Sequence, residues 1–307
     1  MRTNAARSNL KCRQQPSDTL PIRQEALPMP QLALDLHAGV ATVTITNPPL
    51  QTMDPGTLSE LTEMLPRLRE DDVRAVVFTG GMEGFFIRHY SVVELDRSAQ
   101  GQRPAATPAP DAGDTRDAGD AAGARTAMNI HDLFLAIEHL PKPVLAALNG
   151  SAMGGGWEFA MATDIRVAKD GPYRFGLPEI SVGILPGAGG TQRLTNLVGR
   201  HRAIEMMLRA RTVSPREALD YGMIEELVPA DTRETALERA QAIAAEIAGR
   251  PALAVAHIKR LARAAVSPLS RDMLTLEGTL FAELMRTPEA KALLARVAAS
   301  HRTGKAE

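Results

Sequence analysis

Cysteine is almost absent: Cys12 is the only one in 307 residues. That excludes an intramolecular disulfide framework and any zinc or iron–sulfur site built on several thiolates. Excess charge of either sign is missing too, since 35 Lys and Arg face 36 Asp and Glu for a net −1. This balance removes the electrostatic footprint of a general nucleic-acid binder, and no nucleic-acid partner is expected. No run reaches the roughly 20 consecutive apolar residues that a membrane helix needs, because charges, Gly or Pro interrupt each one. The seven histidines (37, 89, 131, 139, 201, 257, 301) contain no H-E-x-x-H spacing, so no metal site is expected. A secretory apolar block is lacking as well. Residues 1–31 are basic, and Pro16, Pro21, Pro28 and Pro30 would break an amphipathic targeting helix, so a disordered tail on a cytoplasmic protein is expected.

What remains is ordinary globular composition, 44 % apolar and 23 % charged, on a chain long enough to bury a large core. Leu32 to Leu36 and Val40 to Ile45 alternate around Ala38-Gly39, which predicts two short strands and a tight turn. Asp54 and Pro55 open a helix with Leu58, Leu61, Leu65 and Leu68 on one face, and Val73 to Phe78 reads as a buried strand. Strand, helix, strand order favours an α/β fold with crossover connections. Residues 99–127 contain no Val, Ile, Leu or Phe and are rich in Pro, Gly, Ala and Asp, which predicts a mobile surface insertion. A helix near Ile130 to Leu140 and a strand over Val144 to Leu148 form a second α/β unit. Beyond Pro186 the pattern turns helical: 200–209, 215–221, 232–248 capped by Asp231 and Glu234, 252–264 and 270–299. The chain therefore divides into a tail (1–31), an α/β core (32–196) and a C-terminal helical subdomain (197–307).

The chemistry-bearing residues cluster after the strand predicted over Val144 to Leu148. In Asn149-Gly150-Ser151-Ala152-Met153-Gly154-Gly155-Gly156-Trp157-Glu158, three glycines let a ligand approach bare N–H groups at the positive end of a helix. No Lys-Ser/Thr follows, so this is not a P-loop, and Ser151 lacks the G-x-S-x-G elbow of a serine hydrolase. Glu158 and Glu179 each interrupt apolar surroundings, where a carboxylate is costly without a role or a partner. Glu179 precedes a second glycine-rich stretch, Gly183 to Thr191. Two isolated carboxylates beside backbone donors suit acid–base chemistry on a carbonyl compound whose oxygen gains negative charge.

These segments resemble the crotonase superfamily, the enoyl-CoA hydratase/isomerase family. The shared patterns are Asn-Gly-x-Ala-x-Gly-Gly-Gly-x-Glu-x-Ala-x-x-x-Asp over 149–164 and Pro-Glu-Ile-x-x-Gly-x-x-Pro-Gly-x-Gly-Gly-Thr-Gln-Arg-Leu over 178–194. Weaker agreement extends over roughly 32–299. The resemblance implies a crotonase-like core of repeated ββα units, a C-terminal helical trimerisation region, and a homotrimer or dimer of trimers. It implies an acyl-CoA thioester substrate, with CoA as part of the substrate and no separate cofactor. Its hydratases use two glutamates matching Glu158 and Glu179, and one oxyanion-hole N–H comes from Gly155. Hydration of a trans-2-enoyl-CoA is the leading expectation. The alternatives are another acyl-CoA reaction (isomerase, C–C lyase or decarboxylase) or a non-catalytic CoA-thioester-binding protein.

The departure lies in the first oxyanion element, where the usual Phe-x-x-Gly-Ala-Asp is replaced by Phe85-Phe86-Ile87-Arg88-His89-Tyr90-Ser91. An ungapped match puts Arg88 at the glycine and the donating N–H at His89. His89 and Tyr90 could instead reshape the acyl pocket or add a titrating group. Arg88, Tyr90, Gly154 and Gly187 are the expected substrate-binding positions.

Overall fold

The computed structural model describes residues 30–102, 128–265 and 269–302. Of the tail expected over 1–31, residues 1–29 lie outside the described residues, as do 103–127 of the insertion expected over 99–127. The alternating stretch forms the antiparallel pair Leu32–His37 (β1) and Val40–Ile45 (β2). Helix Pro55–Arg69 (α1) starts where expected: Asp54 accepts from Thr57 N at 3.0 Å in a capping box, with Pro55 at the first position. The four leucines of its apolar face are buried. Ala75–Gly80 (β3), Gly84–Ile87 (β4) and Val92–Ala99 (α2) follow. Ala99, placed at the start of the insertion by its composition, instead closes α2 and is buried.

Then come Ile130–Glu138 (α3), Val144–Leu148 (β5), Gly150–Met153 (β6), Gly155–Met161 (α4), Ile165–Lys169 (β7), Phe175–Gly176 (β8) and a 3₁₀ turn at Glu179–Val182. Gly190–Val198 (α5), Arg200–Leu208 (α6), Thr212–Val213 (β9), Pro215–Asp220 (α7), Glu226–Val228 (β10) and Ala236–Ala248 (α8) precede the last helices. These are Ala252–Ala265 (α9), Arg271–Leu284 (α10) and Pro288–Arg302 (α11).

Two sheets result. One has six strands in the order β1-β2-β3-β5-β7-β10, parallel except for the first pair; the other has four, in the order β4-β6-β8-β9. Each of β3, β5 and β7 lies in the large sheet and is followed at once by a strand of the small one, then by helical structure. This is the repeated ββα unit of the crotonase fold. Phe78, Phe86, Phe134, Trp157 and Phe159 fill the main core, with the Phe159 ring edge-on to Phe78 at 5.0 Å. On another face of the large sheet, Ala236, Ala240, Ala244 and Ala248 of α8 pack on Val77, Leu145 and Val167. Alanines at four-residue spacing let that helix approach the strands closely.

The region after residue 196 is not purely helical. It supplies the edge strands β9 and β10, and residue 196 itself falls inside α5. Helix α8 begins at Ala236 rather than 232, capped by the Thr235/Glu238 box. The ammonium of Lys169 accounts for the delay, holding the carbonyls of Pro229 (2.6 Å), Thr232 (2.8 Å) and Glu234 (2.9 Å) away from a helical ladder. The helix expected over 270–299 is two: α10 ends at Leu284, and Pro288, which lacks an N–H, starts α11. No helix among the described residues is long and apolar enough to cross a membrane.

Candidate active site

The glycine run sits where β6 of the small sheet passes into α4. Gly154 takes φ +50 at the turn, its N–H bonded to Gly176 O at 2.9 Å. A Cβ on Gly156 would run into the carbonyl of Ile87, and one on Gly155 would come within 3.0 Å of Tyr90 Cβ and 3.3 Å of Tyr90 N. The absence of side chains therefore brings the N-terminus of α4 directly against the end of β4 and the segment beyond it. The Gly155 N–H belongs to the first turn of α4, where no intrahelical acceptor exists.

The Tyr90 nitrogen lies 3.3 Å from where a Cβ on Gly155 would stand, so the segment holding the expected donor His89 packs against the start of α4. Local bonding sets the register. Arg88 N donates to Gln51 O at 2.8 Å, Met153 N to Arg88 O at 3.0 Å, Met53 N to His89 O at 2.9 Å, and Ser91 caps α2. The His89 side chain turns toward α11, its ring stacked on His301 at 5.2 Å, and its Nδ1–H donates to Tyr90 O at 2.7 Å. Burial pulls its pKa down to about 4, with His301 and Arg88 adding to the fall against the Tyr90 hydrogen bond. His89 is neutral at pH 7 and supplies no titration there. Arg88 lies over the Phe85 ring, 5.0 Å from its centroid. Gly187 faces Phe281 of α10, whose ring would stand 2.6 Å from an added Cβ.

Glu158 projects from α4 into the protein and is 3 % exposed. Its Oε1 accepts from Ala188 N at 2.7 Å and Gly190 N at 2.9 Å, while Oε2 takes no hydrogen bond among the described residues. Burial pushes its pKa up to about 7, the charge of Glu277 adds, and the two N–H groups and Arg193 oppose the rise. Glu179 opens the 3₁₀ turn with its Oε1 3.1 Å from where a Gly154 Cβ would lie. Both its carboxylate oxygens are buried without a hydrogen-bond partner. Burial raises its pKa well above the carboxylate range, and the neighbouring Glu158 charge raises it further. The structure thus brings Glu158, Glu179, Gly154, Gly155 and the Arg88–Tyr90 segment together.

Two buried side chains of the same cluster have no role in the sequence reading: Glu277 carries no local signal, and Arg193 stands in the 178–194 pattern without an assigned function. Glu277 of α10 accepts from Gly189 N at 2.6 Å. Arg193 of α5 donates to Ala188 O at 2.8 Å and to Glu138 Oε2 at 2.8 Å. An acid at position 277 reads as a solvated helix face until α10 is folded under the 188–191 turn. Such a cluster, two buried carboxylates beside a helix N-terminus, can move protons on either side of a bond whose electrons are drawn to an oxyanion.

The family model described as "Enoyl-CoA hydratase/isomerase" matches residues 111–298. The short-chain-enoyl-CoA hydratase of Clostridium acetobutylicum is 32 % identical over 261 residues, 84 % of this chain and 90 % of that relative. Among solved structures, carnitinyl-CoA hydratase from Mycobacterium avium superposes with a TM-score of 0.69 at 25 % identity, covering 91 % of this chain and 97 % of the other. DspI of Pseudomonas aeruginosa gives a TM-score of 0.63 at 30 % identity, covering 80 % and 91 %. The chain belongs to the enoyl-CoA hydratase/isomerase family.

Proposed function

We propose that the protein is an enoyl-CoA hydratase, a lyase that adds water across the double bond of a trans-2-enoyl-CoA. The observation that carries this reading is the pair of buried carboxylates beside the free first turn of α4, held in different environments. The hydratase relative, similar over 84 % of the chain, supports it. The thioester oxygen is held by the Gly155 N–H and a second backbone N–H from the Arg88–Tyr90 segment, so the enolate charge meets preorganised donors. Glu158, ionised as pH passes about 7, takes a proton from water at Oε2 while the water oxygen bonds to Cβ. Glu179, held neutral, gives its proton to Cα as the enolate collapses. Opposed protonation states in one site suit an acid and a base working together. The addition consumes only water, so CoA enters as part of the substrate and no separate cofactor is required. The exposed Leu253, Ile258 and Leu261 on α9, each 69 % exposed, support packing into a homotrimer or dimer of trimers. We assign the protein to the cytoplasm.

The test follows loss of the conjugated thioester absorbance with crotonyl-CoA and longer enoyl-CoAs. The expected result is turnover by the parent, slowed by about 10²-fold or more in Glu158→Gln and in Glu179→Gln. Thioester binding without hydration of any chain length would refute the reading.

A further inference from the structure

The 188–191 turn is shared between two carboxylates in strict alternation. Ala188 N and Gly190 N donate to Glu158 Oε1, whereas Gly189 N between them donates to Glu277 Oε1 at 2.6 Å. The Thr191 hydroxyl donates to Glu277 Oε2. Glu277 is 4 % exposed and comes from α10, 88 residues further along the chain than Gly189. A buried acid is costly to keep, and this one satisfies a turn that holds another acid.

From this geometry we infer that Glu277 is a positioning residue for the hydration reaction: it clamps the 188–191 turn from below, so that the turn's alternate N–H groups hold Glu158 in its working orientation. The inference rests on the hydratase reading for its kinetic consequences. Without Glu277, Gly189 N–H loses its buried acceptor, and the peptide planes that serve Glu158 are free to rotate.

The charges around the clamp set its second effect. Glu158 of α4 and Glu179 of the 3₁₀ turn face Glu277, and its negative charge raises the pKa of both. Arg193 of α5 faces the same turn, but its guanidinium is also committed to Glu138 of α3, which Arg263 of α9 bonds as well. His131 of α3 approaches Glu277 Oε1 with Nε2 at 3.4 Å. Glu277 therefore keeps Glu158 protonated to higher pH than the turn alone would.

The experiment measures kcat, KM and the pH profile of kcat/KM for Glu277→Gln, Glu277→Ala and Thr191→Val, with thermal unfolding to establish that each folds. Glu277→Gln keeps an acceptor oxygen but not the charge, so the limb belonging to Glu158 moves to lower pH by on the order of one unit. Glu277→Ala removes both, and kcat falls by about 10–10²-fold with KM within about threefold, since misplacement by 1 Å costs roughly 10²-fold. Thr191→Val removes one hydroxyl from a folded turn and lowers kcat severalfold. A merely structural role moves stability without moving the pH limb. Folded variants with the parent's kcat and pH profile overturn the inference; if both Glu277 variants fail to fold, parental kcat in Thr191→Val does so. Should the parent hydrate no enoyl-CoA, the hydratase reading fails by itself. The titration of Glu158 by carbon-13 NMR, parent against Glu277→Gln, then decides: a fall supports the clamp and an unmoved titration ends it.

Discussion

Gly190→Ala tests whether the N–H pair on Glu158 matters to turnover. Gly190 opens α5 outside the left-handed region, so alanine fits the backbone there and only space is at issue. Its Cβ would stand 2.6 Å from Glu158 Oε1, 2.9 Å from Glu158 Cγ and 2.9 Å from Pro186 Cβ. The carboxylate oxygen must retreat by about 0.8 Å to reach ordinary contact at 3.4 Å. It cannot do so and keep its bonds to Ala188 N at 2.7 Å and Gly190 N at 2.9 Å. A displacement near 1 Å costs roughly 10²-fold in rate, and overpacking of this kind costs about 1–3 kcal/mol in stability.

The assay is the initial rate of enoyl-CoA hydration beside a thermal scan. We expect kcat to drop by about 10²-fold and Tm to fall by about 2–4 °C for each kcal/mol lost. Because the two N–H groups lower the pKa of Glu158, losing them moves its limb above pH 7. The effect runs through Glu158, so in a Glu158→Gln background Gly190→Ala costs far less than in the parent. Parental kcat and pH profile in Gly190→Ala, or full additivity of the two substitutions, would refute the reasoning.

Further expectations follow from the same contacts. Glu158 binds its proton more tightly folded, at about 7 against 4.5, so it subtracts stability as pH rises from 4.5 toward 7, fully so above 7. Glu158→Gln lifts that cost, on the order of 1–3 kcal/mol, and its Tm relative to the parent should rise more at pH 8 than at pH 4.5; a pH-independent difference would contradict this. Arg193→Ala leaves Glu138 with Arg263 as its remaining guanidinium partner and Ala188 O without its donor; it should cost about 3–5 kcal/mol in denaturant unfolding, and a cost under 1 kcal/mol would argue against the network. His89→Ala removes a neutral ring turned toward His301 and leaves the backbone in place; kcat should stay within about fivefold, well short of the 10²-fold expected of an acid–base group, and a drop of that size would make the side chain catalytic.

Periodicity made the long, half-exposed elements legible. The β1–β2 alternation, the Asp54-Pro55 start and the leucine face of α1 follow from side-chain spacing alone. Elements buried on all sides were not readable in that way: α4 has seven residues, all buried, and only its glycines and Glu158 marked it. Strands β8 and β9 are two residues each, too short for any alternation to show. Helix α2 is not legible by periodicity although Ser91 and Glu94 have the spacing of a helix start, because only Val92, Asp96 and Ala99 of its eight residues are buried and they form no apolar stripe. The start of α8 was misjudged because Asp231/Glu234 and Thr235/Glu238 are equivalent cap patterns, and the choice between them is made by a lysine some sixty residues earlier.

The site divides along the same line. Glu158, Glu179 and Gly155, to which the proposed hydration gives its chemistry, stand where the local sequence is itself abnormal, a carboxylate among apolar residues or three glycines in a row. The residues that tune them are locally ordinary. Glu277 and Arg193 sit on helices whose own patterns would accept them as solvated, and only the tertiary fold buries them. Their effect is on proton affinity: the same Glu158 that two backbone N–H groups would pull toward an ordinary carboxylate is held near 7 because burial and Glu277 outweigh those bonds and Arg193. A base poised there can be ionised and still take a proton at physiological pH, which a freely solvated glutamate near 4.5 could do only weakly. In the proposed hydration the chemistry of the pair thus depends on a helix that enters the fold more than a hundred residues after the glutamate it tunes.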